Sequence, residues 1–197
     1  MFKTLKATAI VLLTSTATFA FADTAGLDGF RALTAVEVVE KEMTAVLKPI
    51  IVADEASASK GVLSTGDRIS FEIDGVEGSK VYIMNMDSEG TIQMIYPNKF
   101  VDGGMAQEEE MMMVPAMNAN YEFEVSGAGG TEVVKVIAID GESSAFDALI
   151  TSLFDTEKAF PRAILPAEKT TEALSDFFAA SGNAQIREAT LEYVIAK

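Results

Sequence analysis

The 197-residue chain has no cysteine, no histidine and no tryptophan, and only five prolines. Each absence excludes something. Without Cys there are no disulfides, no thiolate nucleophile and no Cys metal ligands, so stability must come from a packed core. A chain of this length can bury about two-thirds of its unfolded surface, enough for one domain. Without His the usual general base, the usual triad member and the commonest metal ligand are missing. Catalysis would have to rest on carboxylates, Lys or Ser–Lys pairs. No G-x-S-x-G and no Gly-rich phosphate loop is present, and the S-x-x-K spacing that does occur, Ser57 to Lys60, falls in a small, polar stretch. The reading is therefore of a protein that is not an enzyme, with no catalytic residue and no cofactor.

Basic residues are also scarce: 15 against 30 acidic ones, a net charge of −15. Phosphate binding needs a cationic footprint, so nucleic acid is not an expected partner. The acidity reads first as a device for solubility. With 49% hydrophobic residues the chain has the material for a core and is not a disordered acidic tail.

What charge there is at the N-terminus is basic. Lys3 and Lys6 precede an uncharged apolar run, Ala7 to Phe21, which closes in "AFAD". Basic start, short apolar run and small-residue exit describe a secretory signal peptide over residues 1–22, cut after Ala22. The run is shorter than the roughly 20 residues that span a bilayer. The expected product is periplasmic or secreted, and no membrane insertion follows cleavage. Losing Lys3 and Lys6 takes the net charge to −17.

Beyond the cut the pattern changes twice. From Asp28, the residues Phe30, Leu33, Val36, Val39, Met43 and Val46/Leu47 recur at helical spacing until Pro49. This predicts an amphipathic helix of about five turns. The small, polar "ADEASASKG" then reads as a linker, so residues 23–60 are assigned to a helix and linker. A β-rich domain follows over 61–197. "RISFEID" alternates, with Ile69, Phe71 and Ile73 on one face. "KVYIMNM" and "TIQMIY" form a hairpin across "DSEG". "EMMMV" ends at Pro115, "NYEFEV" alternates, and "TEVVKVIAI" is apolar on both faces, as a central strand is. "SAFDALITSLF" and "TTEALSDFFAASGN" read as C-terminal helices, and "REATLEYVIA" as a closing strand beside an early one. The fold class is mainly β: an antiparallel β-sandwich or partly open barrel with immunoglobulin-like layers, an N-terminal amphipathic helix and one or two C-terminal helices.

Three stretches in order resemble a bacterial family, the domain of unknown function catalogued as number 4384. They are "VLSTGDRISFEI", centred on Gly66 and Asp67; "VYIMNMDSEGTIQMIYPN", ending in Tyr96, Pro97 and Asn98; and "VPAMNANYEFEVSGAGGTEVVKVIA". The resemblance covers about Val62 to Asp140. It implies an exported or signalling-associated domain and carries over no site residues.

Five of the ten methionines lie between Met105 and Met117, next to Glu108–Glu110. Thioethers suit Cu(I), which makes Met105, Met111, Met113 and Met117 the candidate metal ligands. The simpler reading is that Met fills core space in a half-buried strand, as Met84, Met86 and Met94 also would. Calcium at "DSEG" or Glu108–Glu110 is a further alternative. Tyr96, Pro97 and Asn98 are candidates for a binding rim. The function these readings favour is an exported non-enzymatic module that contacts another envelope or secreted protein. The alternative is a periplasmic metal- or small-ligand-binding protein.

Overall fold

The structure, a computed structural model, describes residues 9–12, 24–33, 43–101, 111–181 and 185–196. The elements begin β1 (Ala9–Leu12), α1 (Thr24–Arg31), β2 (Thr44–Ile51), α2 (Glu55–Ala58), β3 (Val62–Leu63), β4 (Arg68–Asp74) and β5 (Lys80–Met86). Next come β6 (Ile92–Tyr96), β7 (Met111–Val114), β8 (Tyr121–Glu124) and β9 (Gly130–Asp140). The chain ends with α3 (Ser144–Leu153), β10 (Phe154–Asp155), β11 (Arg162–Ala163), α4 (Ala167–Ala180) and β12 (Gln185–Ile195).

These elements make three layers. One sheet runs β1-β8-β4-β2, with β7 also on β4; the other runs β10-β11-β6-β5-β9-β12-β3. They form a sandwich of two sheets, not a closed barrel, and most pairings are antiparallel. Two are parallel, β1 on β8 and β12 on β3. The helices supply the third layer. Phe146 and Ile150 of α3, Leu174 and Phe178 of α4, and Phe30 of α1 pack with one face of β5, β6 and β9.

The burial pattern follows from this layering. One face of β4 meets the core and buries Ile69, Phe71 and Ile73; the other carries exposed Asp74, half-buried Arg68 and Glu72, and buried Ser70. β9 is covered on both faces and is apolar on both. Val134, Val136 and Ala138 join the core between the sheets; Val133, Ile137 and Ile139 join the helix side. Its place between β5 and β12 makes it the central strand that its sequence implied. β12 is the closing strand, and the early strand beside it is β3.

Glu132 is one of the two buried charged residues on β9, and the other is Lys135. Its ammonium pairs with Glu188 at 2.9 Å and donates to the Leu33 carbonyl, just past the end of α1. A cation placed there meets the negative end of the helix and binds it to the sheet.

The N-terminal helix is shorter than its periodicity suggested. α1 stops at Arg31, and residues 44–51 form β2, antiparallel along the length of β4 from Thr44 opposite Asp74. Val36 and Val39 lie outside the described residues. The period was ambiguous, because Ala45 and Leu47 fit a strand as well as Met43 and Leu47 fit a helix. The unpaired side of β4 settles it, since an open main-chain edge is satisfied by a strand and not by a helix. Pro49 fits because β2 is an edge strand, with a bulge between Pro49 and Ile51. Within the expected linker, α2 makes a single turn capped by the Asp54 carboxylate.

Gly66 and Asp67 fix the start of β4. Gly66 has φ +94°, a conformation that favours glycine. The Asp67 carboxylate accepts from the backbone N–H of Ser64 at 2.7 Å and of Ala53 at 2.8 Å. One buried side chain thus joins the turn before β4 to the segment that follows β2.

Candidate functional site

The site begins where β4 changes partners. β7 pairs with β4 from Asp74 to Phe71, and β8 takes over at Ile69 and Arg68. Residues 115–120, between β7 and β8, leave the sheet at this handover. A tight turn forms there, with Ala119 N–H donating to Ala116 C=O at 2.8 Å. Met117 lies in that turn and is 93% exposed.

Register sorts the other methionines. Met112 is opposite Ile73, whose side chain points inward, and packs against the inter-sheet core. Met111 and Met113 alternate to the outer side, opposite Asp74 and Glu72. Met111 is 44% exposed and Met113 half-buried.

The opposite wall comes from the turn after β6. The peptide bond between Tyr96 and Pro97 is cis. Asn98 is buried and spends its amide on the turn: Nδ2 donates to Ile95 C=O at 2.8 Å, and Oδ1 accepts from Phe100 N–H at 2.9 Å. That geometry presents the Phe100 ring, stacked on Tyr121 with centroids 5.4 Å apart. Phe160 closes against both rings at 5.8 and 6.2 Å.

The result is an open groove of about 670 Å3, lined by Tyr96, Phe100, Val101, Met111, Met112, Met113, Val114, Ala116, Met117, Asn118, Ala119 and Tyr121. A second hollow of about 270 Å3 shares Met113, Met117 and Tyr121, and adds Ile50, Ile51, Arg68 and Glu122. Met117 therefore lines both depressions.

The groove lining offers little acid–base chemistry. Burial pushes the Tyr96 phenol up to about 12, with Tyr121 adding to the effect. Burial also raises Tyr121, and Asn98 alongside it opposes that rise. Both phenols stay neutral at physiological pH, and no described lining residue carries a carboxylate or an amine. What the groove does offer is thioether and aromatic surface, suited to apolar groups or to a soft cation.

Titratable groups gather elsewhere, at the start of α3. Lys80 Nζ lies 2.7 Å from both carboxylate oxygens of Asp147, and the Tyr82 hydroxyl donates to the same group at 2.7 Å. Burial works to raise the Asp147 carboxyl, but the hydrogen bonds from Lys80 and Tyr82 prevail and hold it low. This cluster anchors the first turn of α3 to β5. Among the described residues no group of three or more acidic side chains is placed to hold a metal ion. Asp87 of the "DSEG" turn accepts instead from the backbone N–H of Glu89 and Thr91.

Of the residues singled out from the sequence, Met111, Met113 and Met117 come together in the groove, joined by Met112. Met105 lies outside the described residues. Tyr96 lines the groove, whereas Pro97 and Asn98 shape the turn behind it. The core-filler reading holds for Met84, Met86 and Met94, all buried, and fails for Met111 and Met117. Phe100 and Tyr121 were missed as site residues. The inward phase of "NYEFEV" marked Tyr121 as core, but nothing local pairs it with a ring from the turn after β6.

Residues 62–140, from β3 to the end of β9, match the family model described as Domain of unknown function (DUF4384). Every residue lining the larger groove falls inside that segment. No curated protein and no solved structure matches the chain.

Proposed function

We propose that the protein is an exported, non-enzymatic β-sandwich module that mediates protein–protein contacts in the bacterial cell envelope, with the methionine-lined groove as its contact surface. The observation that carries this reading is the groove itself. Flexible thioethers from β7 and the following turn face the rings of Tyr96, Phe100 and Tyr121 in one open apolar depression. Concentrated apolar surface at an exposed site marks a place of interaction, and methionines adapt to a partner's shape. Export rests on the basic and apolar pattern of residues 1–22. On that reading β1 leaves with the signal peptide, and β8 becomes an outer strand of its sheet. No helix among the described residues is long and apolar enough to cross a membrane.

A photo-crosslinking amino acid at Met117 tests the contact. Placed there in cells, it should capture a distinct envelope protein that the same group at exposed Glu172 on α4 does not. Equal capture from both positions, or none from either, removes the groove from the reading.

The same methionines support a second reading, a periplasmic binder of Cu(I). Titration of reduced protein with Cu(I) against a competing chelator decides it. Competition that disappears on replacing Met113 and Met117 supports the metal; no competition ends it.

A further inference from the structure

The groove's chemistry specifies its occupant more narrowly than "a protein". Its walls call for long apolar side chains, and the charge left over beside it among the described residues is negative. Three cations among the described residues around it are already committed. Arg68 pairs with Glu122 at 2.9 Å, Lys48 with Glu72 at 3.0 Å, and Lys99 lies 3.9 Å from Glu157. Asp74 lies directly across from Met111, is exposed, and has no cation beside it among the described residues. The whole chain carries a net charge of −15.

We infer that the groove binds a basic amphipathic segment of a partner protein, one that alternates Lys or Arg with large apolar side chains. The inference rests on the contact reading above and adds to it the partner's charge. The apolar side chains enter between the methionines and the aromatic rings. The flanking cations meet Asp74 and the general negative field, which also speeds encounter. A second copy of this chain is a poor occupant because two strongly acidic surfaces repel. An anionic lipid surface is repelled for the same reason. Methionine-rich walls suit a partner recognised by apolar bulk and charge, because thioethers repack around side chains of differing shape.

The experiment uses the chain without residues 1–22, carrying 13C-methyl methionine, and three synthetic peptides with one apolar pattern: Leu–Lys, Leu–Gln and Leu–Glu. The Leu–Lys peptide should move the methyl signals of Met111, Met112, Met113 and Met117 and leave Met84, Met86 and Met94 in place. It should bind more tightly than Leu–Gln, with Leu–Glu weakest, and the spread should narrow as salt is added. The double variant M111Q/M117Q alters only exposed side chains and should weaken Leu–Lys binding about tenfold. Leu–Gln binding as tightly as Leu–Lys overturns the charge assignment while the groove reading survives. Leu–Lys binding that leaves the four methyl signals unmoved, or that is indifferent to the double variant, overturns the assignment to the groove. If no peptide binds, both readings fall.

Discussion

Two groups of methionines occupy this fold, and they live in different worlds. Met84, Met86 and Met94 sit on β5 and β6, between the sheet and the helices, and none is more than 2% exposed. Met111, Met113 and Met117 sit around the handover from β7 to β8, and Met117 is almost wholly exposed. The side chain is the same, and for Met111 and Met113 so is the local β pattern. What differs is the layer outside. α3 and α4 cover the first group, whereas the turn at residues 115–120 leaves the second group open on a strand that pairs with β4 alone among the described residues. Methionine is a filler where a layer covers it and a contact surface where none does.

The largest expected effect tests the closed side. Met84→Ala removes a fully buried side chain from beneath the helices and should cost about 2–5 kcal/mol, read from the denaturant midpoint at constant slope. A cost under about 0.5 kcal/mol, in the range of a surface change, would erase the distinction between the two groups.

The other face of β9, toward the core between the sheets, also holds polar groups on terms the groove does not impose. Glu132 on β9 is buried with no ion-pair partner among the described residues, and accepts from Tyr193 OH at 2.6 Å and Asn85 Nδ2 at 2.8 Å. Burial raises its carboxyl above the ordinary value, the two donors pull it back part of the way, and Asp87 adds to the rise. The folded chain therefore holds this proton more tightly than the unfolded chain. That preference is fully present below the ordinary Glu range and is lost as pH rises through the raised folded value. At neutral pH the buried carboxylate is thus a net burden. Glu132→Gln removes the charge and supplies a donor next to Asn85 Oδ1, which is buried without a partner among the described residues. The variant should be more stable than the parent at pH 7, by something on the order of 1 kcal/mol, and should lose that advantage by about pH 4. A variant less stable at pH 7 would show that the two donors outweigh burial.

Much of the sandwich was legible because its strands obey one simple rule each. β4 alternates since only one of its faces joins the core; β9 does not alternate since both do. The N-terminal segment was misread for want of such a rule. Phe30 and Leu33 keep helical spacing with Met43 and Leu47, although the chain becomes a strand at Thr44. Only the open side of β4, a tertiary fact, chooses between the periods. The groove was half legible. The methionine run drew attention, but its role depended on whether a layer covered it. Phe100, Tyr121 and Met117 converge from three separate turns and strands, and no spacing in the chain records that meeting. The pairing of Glu132 with Asn85 and Tyr193 is equally silent in sequence, because it crosses three strands.

The smallest expected effect on folding tests the open side. Met117→Ala deletes a side chain that makes almost no buried contact, so the denaturant midpoint should move by no more than about 0.5 kcal/mol in either direction. Peroxide offers the same comparison without mutation, because thioether oxidation follows exposure. Under mild treatment, among the described methionines, Met117 should become sulfoxide first and Met111 next, with Met84, Met86 and Met94 protected until the chain unfolds. Peptide mass mapping reads that order directly. The sulfoxides would make the groove polar while leaving the sheet-and-helix layer intact, so apolar peptide binding should fall with the first oxidation events and stability only with the last. Simultaneous oxidation of both groups would mean that the helical layer opens as readily as the groove, and the contrast between covered and uncovered methionines would not survive it.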